Sequence, residues 1–275
     1  MPIKTKSIET ARGLFDIDES GQGDALLFLH AFPLSRQMWR PQMESLQDAF
    51  HVIAPDLRGT GKVSPHMSTH AGGQSIESMA DDVAAMLDAL EIESAVLCGL
   101  SIGGYIALAF ARKYPHRLNA LILADTQSGA DTPEARAKRD ENIAFMQDHS
   151  SREFIEKMLP NLISATTRDE QPQVVEQMIE MASQVPREGL ISTLKALRDR
   201  PDATPQLSEI TVPTLVIVGA EDAITPPDVA RDLANGISGA RLEIIDHAGH
   251  LSNLEQPEKF NACLRDFLQS QAAHP

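Results

Sequence analysis

The sequence predicts an α/β protein: a doubly wound, mostly parallel sheet with an inserted helical cap. Three observations carry this. Apolar runs at residues 25–29, 119–125 and 214–219 have strand length and no polar alternation. Strands buried on both faces of a parallel sheet read this way. Segments of helical period separate many of the runs, as crossover connections require. Between residues 126 and 207 the strand patterns vanish, and Pro133, Pro160, Pro172, Pro186, Pro201 and Pro205 break a helical stretch rich in methionine.

Composition narrows the class. The 275 residues are 42% hydrophobic and 23% charged, enough for one large core. The net charge is −15, so nucleic acid and anionic membranes are excluded as expected partners. Met1-Pro2-Ile3-Lys4-Thr5-Lys6-Ser7 lacks the apolar core of a signal peptide, and no apolar run has membrane-spanning length. Cys98 and Cys263 give no disulfide framework, and Cys98 reads as a small buried filler. The expectation is a cytoplasmic protein that acts on a small molecule. No zinc-ligand spacing, phosphate loop or repeat is visible.

The elements follow in order. Residues 3–18 alternate weakly and read as one or two short edge strands. Ser20-Gly21-Gln22-Gly23-Asp24 is a turn before the strand at 25–29. His30-Ala31-Phe32-Pro33 follows it; Met38 and Trp39, on the helix that comes next, read as core. Residues 51–56 form the next strand, and a loop runs from Leu57 through Ser64, Pro65 and His66 to Gly73. Ser75 caps a helix with a clean apolar face at Ile76, Met79, Ala80, Val83, Met86, Leu87 and Leu90. Residues 95–98 are a strand and 105–114 a helix closed by Pro115. After the strand at 119–125 comes the cap, residues 126–207, inserted into a core of residues 1–125 and 208–275. The strand at 214–219, a helix at 227–237, a strand at 240–245 and a helix at 256–268 complete the core, with a frayed tail to Pro275.

Gly99-Leu100-Ser101-Ile102-Gly103-Gly104 joins a strand to a helix, with a serine at the apex of a sharp turn. This G-x-S-x-G turn projects a hydroxyl from the sheet, and its glycines let two backbones crowd. The Ile102 N–H opens a helix, has no intrahelical partner and suits an oxyanion. A nucleophilic serine needs a base, and the base an orienting carboxylate, in the chain order serine, acid, histidine. Asp222 follows the strand ending at Gly219, and His250 follows the last strand after Ala248-Gly249. Glu221 and Asp125 are rival acids, although Asp125 also reads as a cap at the start of the insertion. His247 and His30 are rival bases, with His247 expected at the rim and His30 in a structural hydrogen bond. Phe32 is expected to give the second oxyanion N–H, because Pro33 has none.

Leu29-His30-Ala31-Phe32-Pro33, Asp56-Leu57-Arg58-Gly59-Thr60-Gly61, the Ser101 turn, Gly219-Ala220-Glu221-Asp222 and Ala248-Gly249-His250 occur in the order found in the alpha/beta-hydrolase superfamily, which the chain resembles over nearly its whole length. The resemblance implies an alpha/beta-hydrolase fold, Ser101 as nucleophile, Asp222 as acid, His250 as base, and Phe32 and Ile102 as oxyanion donors. It implies no cofactor and no metal. Ala31 stands where the family usually has glycine, and Lys62-Val63 intervene before Ser64. Serine at position 101 argues against the dehalogenase and epoxide-hydrolase branches, which carry aspartate there.

Residues 248–261 are similar to the 3-oxoadipate enol-lactonase branch. That implies hydrolysis of a small carboxylic ester or lactone, with carbon–carbon bond hydrolysis and a slow ligand receptor as alternatives. A carboxylate-bearing substrate on so acidic a chain would need a local cation, drawn from Arg136, Lys138, Arg139, Lys157, Arg168 or Arg187.

Overall fold

The computed structural model describes residues 2–61 and 73–272. Most of the predicted loop from Lys62 to Gly72, with Ser64, Pro65 and His66, lies outside the described residues, as does the end of the tail. Eight strands form one sheet: β1 (Lys4–Thr10), β2 (Gly13–Ser20), β3 (Ala25–Leu29), β4 (His51–Pro55), β5 (Ala95–Leu100), β6 (Leu118–Ala124), β7 (Thr214–Gly219) and β8 (Arg241–Ile245). Their order is β1-β2-β4-β3-β5-β6-β7-β8. The weakly alternating N-terminal stretch is an antiparallel hairpin, paired from Lys4 with Glu19 to Thr10 with Gly13. β2 pairs antiparallel with β4, and from β4 to β8 all pairing is parallel.

The buried strands divide their side chains by the two-residue period of a pleated strand. Leu27, Leu29, Leu97, Leu121, Leu123, Val216 and Val218 face one layer. It is made by α2 (Ile76–Ala89), α3 (Ile102–Lys113) and α9 (Pro227–Gly236). Leu26, Phe28, Val96, Cys98, Ile122, Leu215 and Ile217 face the other. There lie Met38, Trp39, α1 (Arg40–Leu46) and α11 (Pro257–Ala272), which brings Phe260 and Leu264. The Ser75 cap is present: its hydroxyl accepts the Ser78 N–H, and the Ser78 hydroxyl accepts the Ser75 N–H. Chain order leaves β3 toward β4 on one side and returns to β5 on the other. Ligands in such sheets bind at the carboxyl ends of strands flanking that reversal.

Between β6 and β7 come α4 (Pro133–Asp148), α5 (Ser151–Leu162), α6 (Ala165–Glu170), α7 (Pro172–Ser183) and α8 (Arg187–Arg198), with no strand among them. Pro133 and Pro172 open helices, where a missing N–H costs nothing, and Pro186 is the residue before α8. Pro160 departs from expectation: it lies inside α5, which ends only two residues later at Leu162. The expected final helix is α11, which opens at Pro257 and runs on to Ala272, and a short helix not expected from the sequence, α10 (Ser252–Glu255), precedes it. Among the described residues no helix is long and apolar enough to cross a membrane.

The turn between β5 and α3 depends on contact between backbones. A Cβ on Gly103 would sit 2.1 Å from the Leu29 carbonyl oxygen, and one on Gly99 would sit 2.2 Å from the Gly103 oxygen. Neither neighbour is a flexible side-chain end. Gly103→Ala is therefore expected to cost at least about 2 kcal/mol of stability, as overpacking against fixed backbone does. A denaturant melt checks it; a parental midpoint would mean that β3 and α3 separate freely.

Candidate active site

Ser101 stands at the carboxyl end of β5 with φ 55° and ψ −114°, a left-handed conformation that residues other than glycine rarely adopt. Neighbours hold it there. The Ser101 N–H donates to Ala124 O at 3.0 Å, and the Thr126 hydroxyl donates to Ser101 O at 2.8 Å. The side chain of Ser101 is half-buried. Its Oγ lies 2.9 Å from His250 Nε2, and His250 Nδ1 lies 2.8 Å from Asp222 Oδ2. The network assigns the tautomer: Nδ1–H donates to the carboxylate, so Nε2 accepts the Ser101 hydroxyl proton.

Asp222 is itself fixed. Oδ1 accepts the N–H groups of Ile224 (2.8 Å) and Thr225 (3.0 Å), and Oδ2 accepts the Thr225 hydroxyl at 2.7 Å. Burial alone would push this carboxyl up. The opposing His250 charge and the hydrogen bonds from His250 and Thr225 outweigh it, so Asp222 titrates below its ordinary range. A carboxylate held ionised in this way can orient an imidazole and stabilise its charged form.

The rival groups lie elsewhere. Glu221 and His247 are exposed. His30 is fully buried, with Nδ1 donating to Ala31 O at 3.0 Å and Nε2 accepting the Leu57 N–H at 3.0 Å. It ties the loop after β3 to the loop after β4, and burial pulls its pKa down. Asp125 does not cap the insertion. It joins the end of β6 to the two neighbouring segments: Oδ1 accepts the Gly219 N–H at 2.8 Å, and Oδ2 accepts the Ser252 hydroxyl at 2.5 Å. Burial and then the nearby Asp222 charge push its carboxyl well above the ordinary range. The three segments carrying Ser101, Asp222 and His250 thus meet around a buried acid that does not touch the imidazole.

Ala31 has both backbone groups engaged: its N–H donates to Met38 Sδ and its oxygen accepts the Leu34 N–H. The following N–H, that of Phe32, has no acceptor among the described residues, nor has the Ile102 N–H at the start of α3. The Phe32 ring lies edge-on to Phe154 of α5, with centroids 5.8 Å apart. Phe154 was not singled out in the sequence; it reads there as one apolar residue of a helix in the insertion.

The six candidate cations of the insertion all have partners there. Arg136 meets Asp199, Lys138 meets Glu141, Arg139 meets Asp131 and Arg168 meets Asp169. Arg187 donates to Gln147 O, and Lys157 donates to Asn142 Oδ1 while lying over the Phe145 ring.

A family model described as alpha/beta hydrolase fold matches residues 24–257. The 3-oxoadipate enol-lactonase 2 of Acinetobacter baylyi is 34% identical over 249 residues, covering 88% of each chain. A thermophilic esterase from Thermogutta terrifontis, solved with malate bound, superposes with a TM-score of 0.90 at 37% identity, over 98% of this chain and 99% of that one. The enol-lactonase from Burkholderia xenovorans superposes at 0.87 with 26% identity, over 96% of this chain and 100% of that one.

Proposed function

This chain belongs to the alpha/beta-hydrolase family, and from that premise we propose that it hydrolyses a small neutral carboxylic ester or lactone through a Ser101–His250–Asp222 triad. The observation that carries the reading is the unbroken hydrogen-bonded line from Ser101 Oγ through the imidazole to Asp222. His250 Nε2 takes the Ser101 proton as Oγ attacks the carbonyl carbon. The N–H groups of Phe32 and Ile102 receive the oxyanion, helped by the positive end of α3. His250 then gives its proton to the leaving alkoxide, and a water activated at the same nitrogen releases the acid. Asp222 keeps the imidazole in the productive tautomer throughout. None of these steps calls for a cofactor or metal.

Esterase and enol-lactonase relatives support the ester and lactone classes. The charge on the substrate is a separate matter. The sequence favours a carboxylate-bearing compound, but each candidate cation of the insertion already has a partner within it, and the ring of Phe32, whose N–H is offered to the oxyanion, packs on the apolar ring of Phe154. An anion must also approach a chain of net charge −15. A carboxylate-bearing lactone and its neutral methyl ester, compared by kcat/KM, should differ by roughly tenfold in favour of the neutral compound at low salt, and by less at high salt. Preference for the charged compound at low salt would restore the enol-lactonase-like substrate.

A further inference from the structure

The side chain of His250 belongs to the proposed chemistry, but its backbone is held by a second buried carboxylate. Glu255, at the end of α10, is 2% exposed. Its Oε1 accepts the N–H groups of Gly249 at 2.9 Å and Leu251 at 3.3 Å, the residues on either side of His250. Its Oε2 accepts the N–H of Ser164 at 2.8 Å. Ser164 follows α5, in the insertion. His250 adds a bond to the same segment, donating its own N–H to Leu162 O at 3.1 Å.

These contacts require the two segments to lie almost backbone on backbone. A Cβ on Gly249 would come within 2.7 Å of the Ile163 carbonyl carbon and of Ser164 N. The same α5 that ends at Leu162 also carries Phe154, which rests on Phe32. One helix therefore reaches from the loop offering an oxyanion N–H to the turn bearing the imidazole.

We propose that Glu255 is a positioning residue that fixes the His250 turn to residues 162–164 of the insertion, so that the base and α5, which packs on the Phe32 loop through Phe154, are held as one unit. The inference rests on the reading of His250 as the base. A single carboxylate with two acceptor oxygens suits three converging N–H donors. Alanine would leave all three buried N–H groups without it. Glutamine keeps the shape but has one acceptor oxygen. With that oxygen toward Gly249 and Leu251, its amide nitrogen faces the Ser164 N–H, and the link to the insertion alone is broken.

The test uses the full chain, a p-nitrophenyl ester and a fluorophosphonate that counts reactive Ser101. Glu255→Ala should lower kcat per labelled site by about 10- to 100-fold with KM within about threefold, as a misplaced catalytic group does. Glu255→Gln should fall between it and the parent. If Glu255→Ala does not fold, Glu255→Gln decides alone. Parental kcat per labelled site in Glu255→Gln, whatever its melting temperature, would overturn the proposal and leave Glu255 a stabilising residue only. Failure of the underlying reading has a different signature: the parental protein would be labelled at a residue other than Ser101, which removes the base and this proposal together.

Discussion

Ser101→Ala should lower ester hydrolysis by about four to six orders of magnitude in kcat, the range found when a triad nucleophile is removed. The effect is large because no neighbouring group can replace the oxygen. Thr126, the nearby hydroxyl residue, donates to Ser101 O and so is committed to holding the turn. The loss should come without loss of fold. Ser101 is half-buried, and among the described residues its Oγ bonds only the imidazole. Alanine carries the same Cβ and inherits the same left-handed backbone, held by Ala124 and Thr126. A thermal melt near the parental value together with the lost rate separates chemistry from folding. Residual hydrolysis within about tenfold of the parent would put the nucleophile elsewhere.

Asp222→Asn should cost about 10⁴-fold in kcat, because asparagine can donate to Nδ1 and leave the proton on Nε2, the wrong tautomer for a base. Asp125→Asn should stay within about tenfold of the parent, since that position bonds backbone and a serine rather than the imidazole. An asparagine there can accept from the Gly219 N–H and donate to the Ser252 hydroxyl. The two variants should also differ in stability. A carboxyl whose folded-state pKa is raised, as for Asp125, stabilises the fold while protonated. That contribution is complete below the unfolded pKa and is lost as pH rises through the folded value. Asparagine stays neutral at every pH, so above the folded pKa of Asp125 the change Asp125→Asn removes a buried charge, and its melting temperature there should equal or exceed that of the parent. Asp222 has the opposite sign. Its carboxyl is lowered, so its contribution is present above the unfolded carboxylate pKa and fades as pH falls through the folded one. Loss of activity in the Asp125 variant with parental rate in the Asp222 variant would exchange their roles.

The residues of the candidate site that could be read from the sequence are those fixed by a local pattern at a strand end. Ser101, Asp222 and His250 each follow a strand, and a parallel sheet brings such ends to one edge whatever the intervening lengths. Phe32 could be named because Pro33 excludes itself as a donor. The central strands were legible because short unbroken apolar runs, such as Ala25–Leu29 and Ala120–Ala124, have few alternatives in a chain this size. What the sequence hides depends on packing between distant segments. Glu255 meets Ser164 across 91 residues, and nothing in Ser252-Asn253-Leu254-Glu255 distinguishes a buried clasp from a solvated helix end. Phe154 approaches Phe32 only because α5 lies over the β3 loop. Pro160 shows the converse, since a proline near a helix end sacrifices few bonds and need not break the helix where the sequence places the break. The pairing of the insertion's cations was equally unreadable, because partners such as Arg136 and Asp199 lie on different elements.

Mass spectrometry of the fluorophosphonate-treated protein tests the nucleophile assignment most directly. One phosphonyl group per chain is expected, on the peptide containing Ser101, with labelling abolished in Ser101→Ala and strongly slowed in Asp222→Asn. Stoichiometric labelling at another serine, or labelling that persists in Ser101→Ala, would contradict the account.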